Sequence, residues 1–528
     1  MAENLLSLAE VDPDRPAIID EFTELTRAEF NSRVNQLVHG LRGAGLGPGD
    51  TVALLSDNRH EYMETVAATG CSSWVLVPLN WHFTAGELAY ILEDSGTKVL
   101  LADAAFSDLA VAAAAESPGV EIKIMFGGPA APGARGVPED AGFADYEELL
   151  AASPTTEPED QATGAYLLYT SGTTGRPKGV SSTAFATGQP LMVRNIMLQG
   201  LAGLFQMPEG GAVLVNSPLY HGGPFLYTHL AAALGATVVA RRRFDAAETL
   251  RLIDEHKITT AYFVPTHFVR FLKLDEATRK TFDGSSLKAV YHTAAPCAPE
   301  VKRQMLEWWG PVIHELYAAT ETGALGTFVT GAEWLNKPGT VGRAMPVAEI
   351  LIIGADGQRL GPGQEGQIYI KNLVGGDFEY KGAPEKTAEA HLEPGVMTVG
   401  DVGYLDEDGY LFLCDRKIDM VISGGVNIYP AEIEAVLVTH PAVADAAVFG
   451  VPNDEFGEEV KAVVELAPGH EASDELAVDL LNFARQHLAR YKVPRSVEFS
   501  AGLPRTPTGK LLKRELRDPY WAGRERVI

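Results

Sequence analysis

Helix and strand signals alternate along the first part of the chain. A capping-box pattern opens an amphipathic stretch at Thr26, and a second one opens at Thr84. Short apolar runs follow these two predicted helices, at 51–55 and 98–101. Apolar runs of this length between helices are typical of parallel strands that helices cover on both faces. The alternation therefore predicts an α/β fold built on doubly wound sheets.

The length and composition set the size class of the protein. The 528 residues exceed the roughly 150 of an average domain, which predicts at least two domains. The hydrophobic fraction of 46% supplies large cores and excludes a mainly disordered chain. A formal charge of −27 repels phosphate backbones and anionic lipids, so we expect no nucleic-acid partner. A nucleotide ligand stays compatible with this charge, because one local basic pocket can outweigh the mean field.

The cysteines and the N-terminus indicate a reducing compartment. Cys71, Cys297 and Cys414 lie far apart and form no Cys-x-x-Cys pair, which excludes a disulfide framework. The N-terminus lacks the basic-then-apolar order of a signal peptide. The uncharged stretch 210–240 is interrupted by proline and glycine, so we expect a buried strand, an active loop and a buried helix. The sequence therefore predicts a cytoplasmic protein with no integral membrane association.

A second, smaller domain is expected near the C-terminus. A turn at 406–409 separates short β segments, and a compact helix–strand–strand–helix pattern follows it. The predicted elements are 431–438, 443–451, 459–465 and 475–490. We expect a large α/β N-terminal domain over residues 1–415 and a small α+β C-terminal domain over residues 416–528.

The strongest chemical signal is the string Tyr-Thr-Ser-Gly-Thr-Thr-Gly-Arg-Pro-Lys-Gly at 169–179. The string begins at the last residue of a predicted strand, 165–169. Before that strand, we expect residues 119–163 to form exposed connections. Its glycines let the backbone approach a ligand closely, and its N–H groups, hydroxyls and Lys178 suit phosphate. Lys178 is followed by glycine, so the Walker pattern of P-loop kinases and ATPases is not matched. The alternative interpretation is a flexible surface loop.

This string resembles the phosphate-binding signature of the adenylate-forming superfamily, which includes acyl-CoA synthetases, amino-acid adenylation domains and firefly luciferase. Residues 317–321 are similar to its adenine and magnesium motif, and 399–401 to its ribose-binding element. Residues 415–416 resemble its hinge, 422–430 the loop that opens its small domain, and 504–510 its catalytic-lysine motif. The resemblance covers nearly the whole chain. It implies the acid:CoA ligase branch, with a mobile C-terminal domain.

The resemblance also implies which residues act in catalysis and nucleotide binding. Catalysis is expected from Lys510, Glu321, Thr170 and Lys178, with Glu321 holding Mg²⁺ through oxygen. Contacts with the nucleotide or coenzyme A are expected from Ser171, Gly172, Thr173, Thr174, Gly175, Thr293, Ala294, Ala295, Pro296, Glu315, Tyr317, Thr320, Asp401, Arg416, Ser423, Gly424 and Gly425. Taken singly, such residues are more often ordinary surface or core positions, and the motif context is what indicates a site.

The expected acyl pocket is mostly apolar. The resemblance assigns it His221, Gly222, Phe225, Tyr262, Thr266, Ala318 and Ala319. Amino-acid adenylation domains place an aspartate for the substrate amine near the position of His221, so this chain favours a plain carboxylic acid. A packed loop histidine is the alternative for His221. These positions include no lysine or arginine, which disfavours a dicarboxylate. Their small residues leave room for a medium- or long-chain acid or a bulky polycyclic one.

The resemblance implies an AMP-forming acid–thiol ligase that uses ATP, Mg²⁺ and coenzyme A. It first forms acyl-AMP and pyrophosphate, and then transfers the acyl group to the coenzyme A thiol and releases AMP. One alternative is a ligase that loads a carrier-protein pantetheine. Another is a catalytically silent nucleotide-binding partner, which is expected to lack Lys510, Glu321 or Lys178; all three are present. The expected partner is a small-molecule carboxylic acid, and the oligomeric state stays open, a homodimer included.

Overall fold

A computed structural model of the chain describes residues 8–128, 142–170, 177–182, 186–416, 418–424, 426–505 and 511–522. The chain divides into two compact units. The first comprises Met1–Tyr262, Asp283–Ala289 and Gly376–Thr387, and the second comprises Phe263–Phe282, Val290–Gly375 and Ala388–Ile528. The domain boundary expected between residues 415 and 416 stays a prediction.

The first unit contains a six-stranded sheet in which every strand pairs in parallel with its neighbours. Its order is Ala144–Asp145, Ile122–Phe126, Thr97–Asp103, Thr51–Leu55, Val75–Leu79 and Ala165–Tyr166. Thr51–Leu55 is buried along its whole length, as expected for a central strand that helices cover on both faces. The sheet confirms the predicted parallel α/β architecture.

Helix starts in this unit follow the capping signals. The side chains of Thr26 and Thr84 each accept a hydrogen bond from the backbone N–H of the glutamate three residues later. The side chain of that glutamate in turn accepts a hydrogen bond from the backbone N–H of the threonine. The second of these helices ends at Gly96, which has a φ of 68° in the left-handed region. The helices are Arg27–Gly43, His60–Gly70, Ala85–Ser95, Ser107–Ala115, Tyr146–Ala151, Leu191–Leu204, Gly222–Ala233, Ala246–Glu255 and Pro384–Glu389, with a 3₁₀ turn at Ala104–Phe106.

Two further groups of strands belong to the first unit. One has the order Glu24–Thr26, Pro16–Ile19, Thr237–Ala240, Ala212–Val215 and Thr260–Phe263, antiparallel at its first pair and parallel elsewhere. The other is antiparallel, with the order Phe378–Tyr380, Lys178–Ser182 and Leu168–Thr170. The uncharged stretch 210–240 forms the predicted strand, loop and helix, and then a second strand, Thr237–Ala240, that was not predicted. Within the described ranges, no helix is long and apolar enough to cross a membrane.

The second unit begins with a parallel pair and continues as an antiparallel sheet. The order is Ala289–His292, Ile313–Tyr317, Thr327–Val329, Gly342–Ala344, Tyr410–Arg416, Asp401–Leu405, Gly366–Asn372, Val396–Met397 and His391–Glu393, and Ala348–Ile353 also pairs with Gly366–Asn372. The helices of this part are Pro265–Leu272, Glu276–Thr281, Pro299–Trp309 and Gly331–Asn336.

The C-terminal part of the second unit is the small α+β fold expected from the sequence. Its strands have the order Val426–Ile428, Val421–Ser423, Gly457–Leu466 and Val443–Asn453, and Ser496–Ser500 runs parallel to Gly457–Leu466. Its helices are Pro430–Leu437, Asp474–His487 and Lys513–Arg517, with 3₁₀ turns at Arg490–Lys492 and Asp518–Trp521. Ile433, Val448 and Leu480 are fully buried in its own hydrophobic core.

Two stretches differ from the sequence-based expectation. Residues 119–163, expected as exposed connections, contain Ile122–Phe126 and the helix Tyr146–Ala151, in which Tyr146 and Leu150 are buried. In this helix, two buried apolar side chains among acidic neighbours are too few to form a periodic pattern that sequence reasoning can detect. The predicted strand 165–169 is two strands, because the chain changes sheets beside Leu167.

A network of buried charges lies in the first unit. The Arg59 guanidinium donates to both oxygens of Glu61 at 2.6 and 2.7 Å and to Asp103 at 3.0 Å. His60 Nδ1 lies 2.7 Å from Asp20 Oδ2. Asp20, His60 and Glu61 place their ligand atoms within 4.8 Å of one another, as a metal site does. Because both carboxylates are already bonded to neighbours, we interpret the cluster as an ion-pair network.

The His60–Asp20 pair has a defined pH range. Burial raises the pKa of Asp20, but the bond from His60 outweighs burial and leaves this pKa below its ordinary value of 3.8. Burial lowers the pKa of His60, but the bond to Asp20 and the nearby carboxylates raise it above 6.5. The contribution of Asp20 is lost as pH falls through its lowered pKa, and that of His60 as pH rises through its raised pKa.

We expect His60→Gln to destabilise the protein more at about pH 6 than at about pH 9. At the lower pH the wild-type imidazolium is charged and bonded to Asp20, a bond of about 1–3 kcal/mol. That charge is lost as pH rises through the raised pKa of His60. Thermal unfolding of both proteins at the two pH values measures the difference. His39→Gln is the control, since the His39 ring contacts the carbonyl of Thr156. A loss for His60→Gln that is equal at both pH values contradicts the charged pair.

Candidate active site

The base of the predicted phosphate loop is a two-stranded ladder. Leu168–Thr170 and Lys178–Ser182 run antiparallel, and Thr170 lies opposite Lys178 in the register. The ladder therefore holds together the two ends of the segment that connects them. The predicted phosphate contacts Ser171, Gly172, Thr173, Thr174 and Gly175 lie outside the described residues.

Aromatic side chains fix the strands of this ladder. The Tyr169 hydroxyl donates to Asp94 Oδ2 at 2.5 Å, and burial together with this carboxylate raises the pKa of Tyr169. Lys178 Nζ lies 4.8 Å from the centre of the Tyr380 ring, a cation–π distance. Tyr380 belongs to the adjacent strand of the same sheet. The predicted phosphate-binding cation is thus placed by a ring on a neighbouring strand.

The loop predicted to flank adenine begins where two parallel strands end. His292 and Glu315 are register partners near the carboxyl ends of these strands, the edge where open α/β sheets bind ligands. Residues 293–296 follow His292 directly. Within them, Ala294 has a φ of 77°, which costs a residue with a Cβ about 1–2 kcal/mol. The surrounding structure must therefore hold this loop in place.

A buried ion pair joins the two sides of this loop. Lys302 Nζ lies 2.5 Å from Glu315 Oε2, with the side chains 0% and 7% exposed. His292 Nε2 lies 3.5 Å from the same oxygen. Lys302 belongs to Pro299–Trp309, the helix that follows the loop, so the pair ties that helix to the strand of Glu315. The carboxylate of Glu315, predicted as a nucleotide contact, is thus occupied by Lys302.

Burial sets the protonation of these groups. Burial raises the pKa of Glu315, and Lys302 opposes the rise. Burial and the Lys302 charge lower the pKa of His292 well below 6.5, so this imidazole is neutral. The lysine is therefore the cation that balances Glu315. Sequence reasoning missed Lys302, although the signal was a lysine among the buried positions Val301, Met305 and Trp309 of an amphipathic helix.

Two predicted nucleotide-binding residues meet in the second unit. The Tyr317 hydroxyl donates to Asp401 Oδ2 at 2.8 Å, across 84 residues of sequence. Tyr317 ends the strand Ile313–Tyr317, and Asp401 begins Asp401–Leu405. The predicted adenine platform and the predicted ribose ligand are therefore neighbours. Asp401 also pairs in register with Arg416, the third predicted residue at this edge.

The turn after Tyr317 carries the predicted magnesium ligand. Thr320 and the half-buried Glu321 lie in this turn. The hydroxyl of Thr322 accepts from the N–H of Ala319 at 3.1 Å and donates to its carbonyl at 3.0 Å. A Cβ on Gly326 would lie 2.0 Å from the Tyr317 carbonyl oxygen. Sequence reasoning missed Thr322 and Gly326, because both act on backbone that only the folded turn brings near them.

The predicted substrate residues of the first unit lie around one helix start. His221 is the residue before Gly222–Ala233 and makes no side-chain capping bond. Phe225 packs on the Tyr166 ring, with centres 4.8 Å apart. Tyr262 lies on Thr260–Phe263, the strand that pairs with Ala212–Val215. Of the predicted substrate residues in the second unit, Thr266 lies in Pro265–Leu272, and Ala318 and Ala319 follow Tyr317.

The C-terminal part places some of the remaining predicted residues. Ser423 pairs with Gly457, and Gly424 has a φ of 58° and donates its N–H to the Phe456 carbonyl at 2.8 Å. Gly425 and Lys510 lie outside the described residues. Arg505 and Leu511 form an antiparallel bridge. The two residues that flank the segment with Lys510 therefore lie side by side.

Two family models match the chain. The one described as "AMP-binding enzyme" matches residues 7–373, and the one described as "AMP-binding enzyme C-terminal domain" matches residues 432–510. The chain belongs to the AMP-binding enzyme family. The first match covers the phosphate string and Tyr317–Glu321, and the second ends at Lys510. Family membership confirms the predicted relation to adenylate-forming enzymes.

Relatives of this AMP-binding enzyme align over nearly its whole length. It is 34% identical over 526 residues to fatty acid–[acyl-carrier-protein] ligase ScoC of Streptomyces coeruleorubidus, covering 98% of the chain and 96% of the relative. It is 34% identical over 516 residues to feruloyl-CoA synthase of Amycolatopsis sp, covering 96% of each. The solved o-succinylbenzoate CoA synthetase of Bacillus subtilis has a TM-score of 0.78 at 28% identity, covering 98% of each chain. These similarities confirm the fold class and the class of AMP-forming acid–thiol ligases.

We expect Lys302→Met to lower the free energy of unfolding by about 3–5 kcal/mol, because it leaves Glu315 buried beside a neutral imidazole. Urea unfolding measures the loss. The matched control is Lys280→Met, whose partner Glu276 and own side chain are each 73% exposed; its expected loss is below about 0.5 kcal/mol.

The double variant Lys302→Met/Glu315→Leu removes both charges from the same place. We expect it to recover most of the stability lost by the single variant, because apolar replacements of a buried pair are tolerated. A double variant as unstable as Lys302→Met contradicts an uncompensated charge as the cause of the loss.

Proposed function

We propose that the protein activates a carboxylic acid with ATP to acyl-AMP and then transfers the acyl group to coenzyme A. The observation that carries this proposal is the bond between Tyr317 and Asp401, which brings an aromatic face for adenine beside a carboxylate for the ribose hydroxyls. Membership of the AMP-binding enzyme family supports the same use of ATP.

In the first step, a carboxylate oxygen of the acid attacks the α-phosphorus of ATP, and the bond to pyrophosphate breaks. The acid and the phosphates all carry negative charge, so cations and fixed dipoles must hold the transition state. Lys178, placed beside Tyr380, supplies one cation at the phosphate loop. Lys510 is proposed to supply the second, between the carboxylate and the α-phosphate. These local cations oppose a chain whose formal charge is −27.

Glu321 suits Mg²⁺ by its chemistry. It offers carboxylate oxygen from a half-buried turn next to the proposed adenine platform, and Mg²⁺ prefers one or two carboxylates together with substrate phosphates. When bound, the ion neutralises charge on the phosphates. Thr322, through its bonds to Ala319, and Gly326, beside the Tyr317 carbonyl, hold the backbone of the turn that carries Glu321.

In the second step, the thiol sulfur of coenzyme A attacks the acyl carbon, and AMP leaves. We propose that the C-terminal domain rotates between the two steps about residues 415–418, which removes Lys510 and brings Ser423 and Gly424 to the thiol path. Gly424 has a positive φ, and its N–H donates to the carbonyl of Phe456. Because it lacks a side chain, its backbone is open to the thiol at this position. The two steps then use different faces of the same small domain.

A carrier-protein pantetheine is the second candidate for the acyl acceptor. The observation that favours it is the 34% identity to the carrier-protein ligase ScoC. The two acceptors share the same thiol chemistry. Supplying purified acyl-AMP with either coenzyme A or a phosphopantetheinylated carrier protein separates them, and we expect faster thioester formation with coenzyme A.

We expect ATP to be converted to AMP and pyrophosphate, and we expect the conversion to need Mg²⁺ and an acid. Chromatography of the nucleotide products with a panel of carboxylic acids, each with and without EDTA, measures both points. Release of ADP and phosphate instead contradicts adenylation. Activity that persists in EDTA contradicts the role proposed for Glu321.

Lys510→Ala is expected to slow acyl-AMP formation by about 10²–10³, or about 3–4 kcal/mol, since it removes one donor to developing charge. Conversion of supplied acyl-AMP and coenzyme A to thioester is expected to stay within a few-fold of wild type. Single-turnover assays of each half-reaction measure the two rates. Lys513→Ala is the control, since Lys513 bonds Glu434 at 2.9 Å and its loss should act on both halves alike. Equal losses in both halves for Lys510→Ala contradict the proposed rotation.

A further inference from the structure

Buried polar atoms without a hydrogen-bond partner concentrate on one loop of the first unit. The loop connects the strand Ala212–Val215 to the helix Gly222–Ala233. Within the part of the chain that the structure describes, its unpartnered buried atoms are Asn216 Oδ1, Ser217 Oγ, Tyr220 OH and His221 Nε2. An unpaired buried polar group is costly, and native proteins keep few of them. We predict that this loop contacts the substrate through His221, so the concentration of unpartnered polar atoms on it favours a ligand that is not wholly apolar.

The hydroxyl of Tyr262 is aimed at the first turn of the helix that follows this loop. A Cβ placed on Gly223 would lie 2.6 Å from the Tyr262 hydroxyl oxygen. Tyr262 is 5% exposed, and among the described residues its hydroxyl has no hydrogen-bond partner. His221, at the start of the helix, provides no side-chain cap. The first N–H groups of a helix point out of its N-terminus, so backbone and phenol donors meet at this end.

The side chains of His221 and Tyr262 are neutral. Burial lowers the pKa of His221 to about 3, and burial raises the pKa of Tyr262 above its ordinary value of 10. Arg194, a buried cation of the same unit, is already bonded to the Gly70 carbonyl at 2.6 Å and to the Tyr166 hydroxyl at 3.1 Å. A second carboxylate would be buried here against neutral donors, which is costly. A neutral oxygen matches these donors without that cost.

We infer that the acid activated by this enzyme carries a neutral oxygen, a hydroxyl or oxo group, on its acyl part, and that Tyr262 and the first turn of Gly222–Ala233 bind it. The inference rests on the proposed function and narrows its substrate class from carboxylic acids in general to those with a neutral oxygen on the acyl part. A site built to bond such an oxygen rejects the analogue that lacks it, because the buried donors are then left unpaired. Tyr262 is therefore a specificity-determining residue.

Tyr227 offers a matched control for Tyr262. The two ring centres lie 5.8 Å apart, and the Tyr227 hydroxyl is already hydrogen-bonded to Thr260 Oγ1. Tyr262→Phe removes an unpartnered hydroxyl, so we expect its melting temperature to equal or exceed that of wild type. Tyr227→Phe breaks an existing bond, and we expect its melting temperature to fall. A fall for Tyr262→Phe as large as that for Tyr227→Phe assigns the Tyr262 hydroxyl to the fold and overturns the inference.

Matched acids test the selectivity directly. We would measure kcat/KM from ATP-dependent pyrophosphate release with 3-phenylpropanoate against 3-(4-hydroxyphenyl)propanoate, and with hexanoate against 5-oxohexanoate. Adipate is the dicarboxylate probe. We expect wild type to prefer the oxygen-bearing member of at least one pair by tenfold or more. Tyr262→Phe should reduce that preference below about threefold, and Tyr227→Phe should keep it.

Several results overturn the inference. They are a preference for the plain acid in every pair, a preference that Tyr262→Phe leaves unchanged, and adipate as the best substrate. Each of these still includes acid-dependent pyrophosphate release, so the proposed function stands when the inference alone fails. Absence of pyrophosphate release with every acid contradicts the proposed function, and the inference that rests on it falls with it.

Discussion

Parallel strands bury both of their faces, and this constraint decides where polar chemistry can lie in the protein. Thr51–Leu55 shows it most simply, since all five of its residues are buried. Polar groups that must reach a ligand are left to the loops at the strand ends. The loop after Ala212–Val215 and residues 293–296 after His292 both stand at such ends. In each unit, the sheet thus determines which loops can carry polar groups to a ligand before any catalytic residue is considered.

Charges within the fold persist where a partner of opposite sign meets them. Lys302 and Glu315 in the second unit, and Arg59 with Glu61 in the first, are nearly inaccessible to water and closely paired. A pair of this kind adds little net stability over an apolar substitute, but it penalises every arrangement that separates the two groups. Around residues 293–296 this property suits a loop that holds Ala294 at a positive φ. The ion pair therefore specifies one geometry for a segment that local preference would not choose.

Local signals in the sequence predicted much of the architecture, but they could not predict which residues far apart in sequence would pair. The capping boxes at Thr26 and Thr84 start helices as expected, because their hydrogen bonds span three residues. The bond between Tyr317 and Asp401 depends on the register of strands far apart in sequence, and the motifs named both residues without predicting their contact. Lys302 stood out only as a lysine among apolar helix positions, and its pairing with Glu315 exists only where the folded helix meets that strand. The change of sheet beside Leu167 could not be predicted either, because a single apolar run in the sequence forms two strands that pair in different sheets.

The close approach of Tyr262 to Gly223 links two positions 39 residues apart into a single steric unit. The phenol occupies space that a side chain at 223 would need, so residue 223 cannot gain a side chain while Tyr262 is present. In any lineage that keeps this backbone, a larger residue at 223 has to arrive together with a shorter one at 262. Drift at these two sites should therefore leave a covariation signature. That signature would divide descendants by the tail of the acid they accept rather than by their nucleotide chemistry.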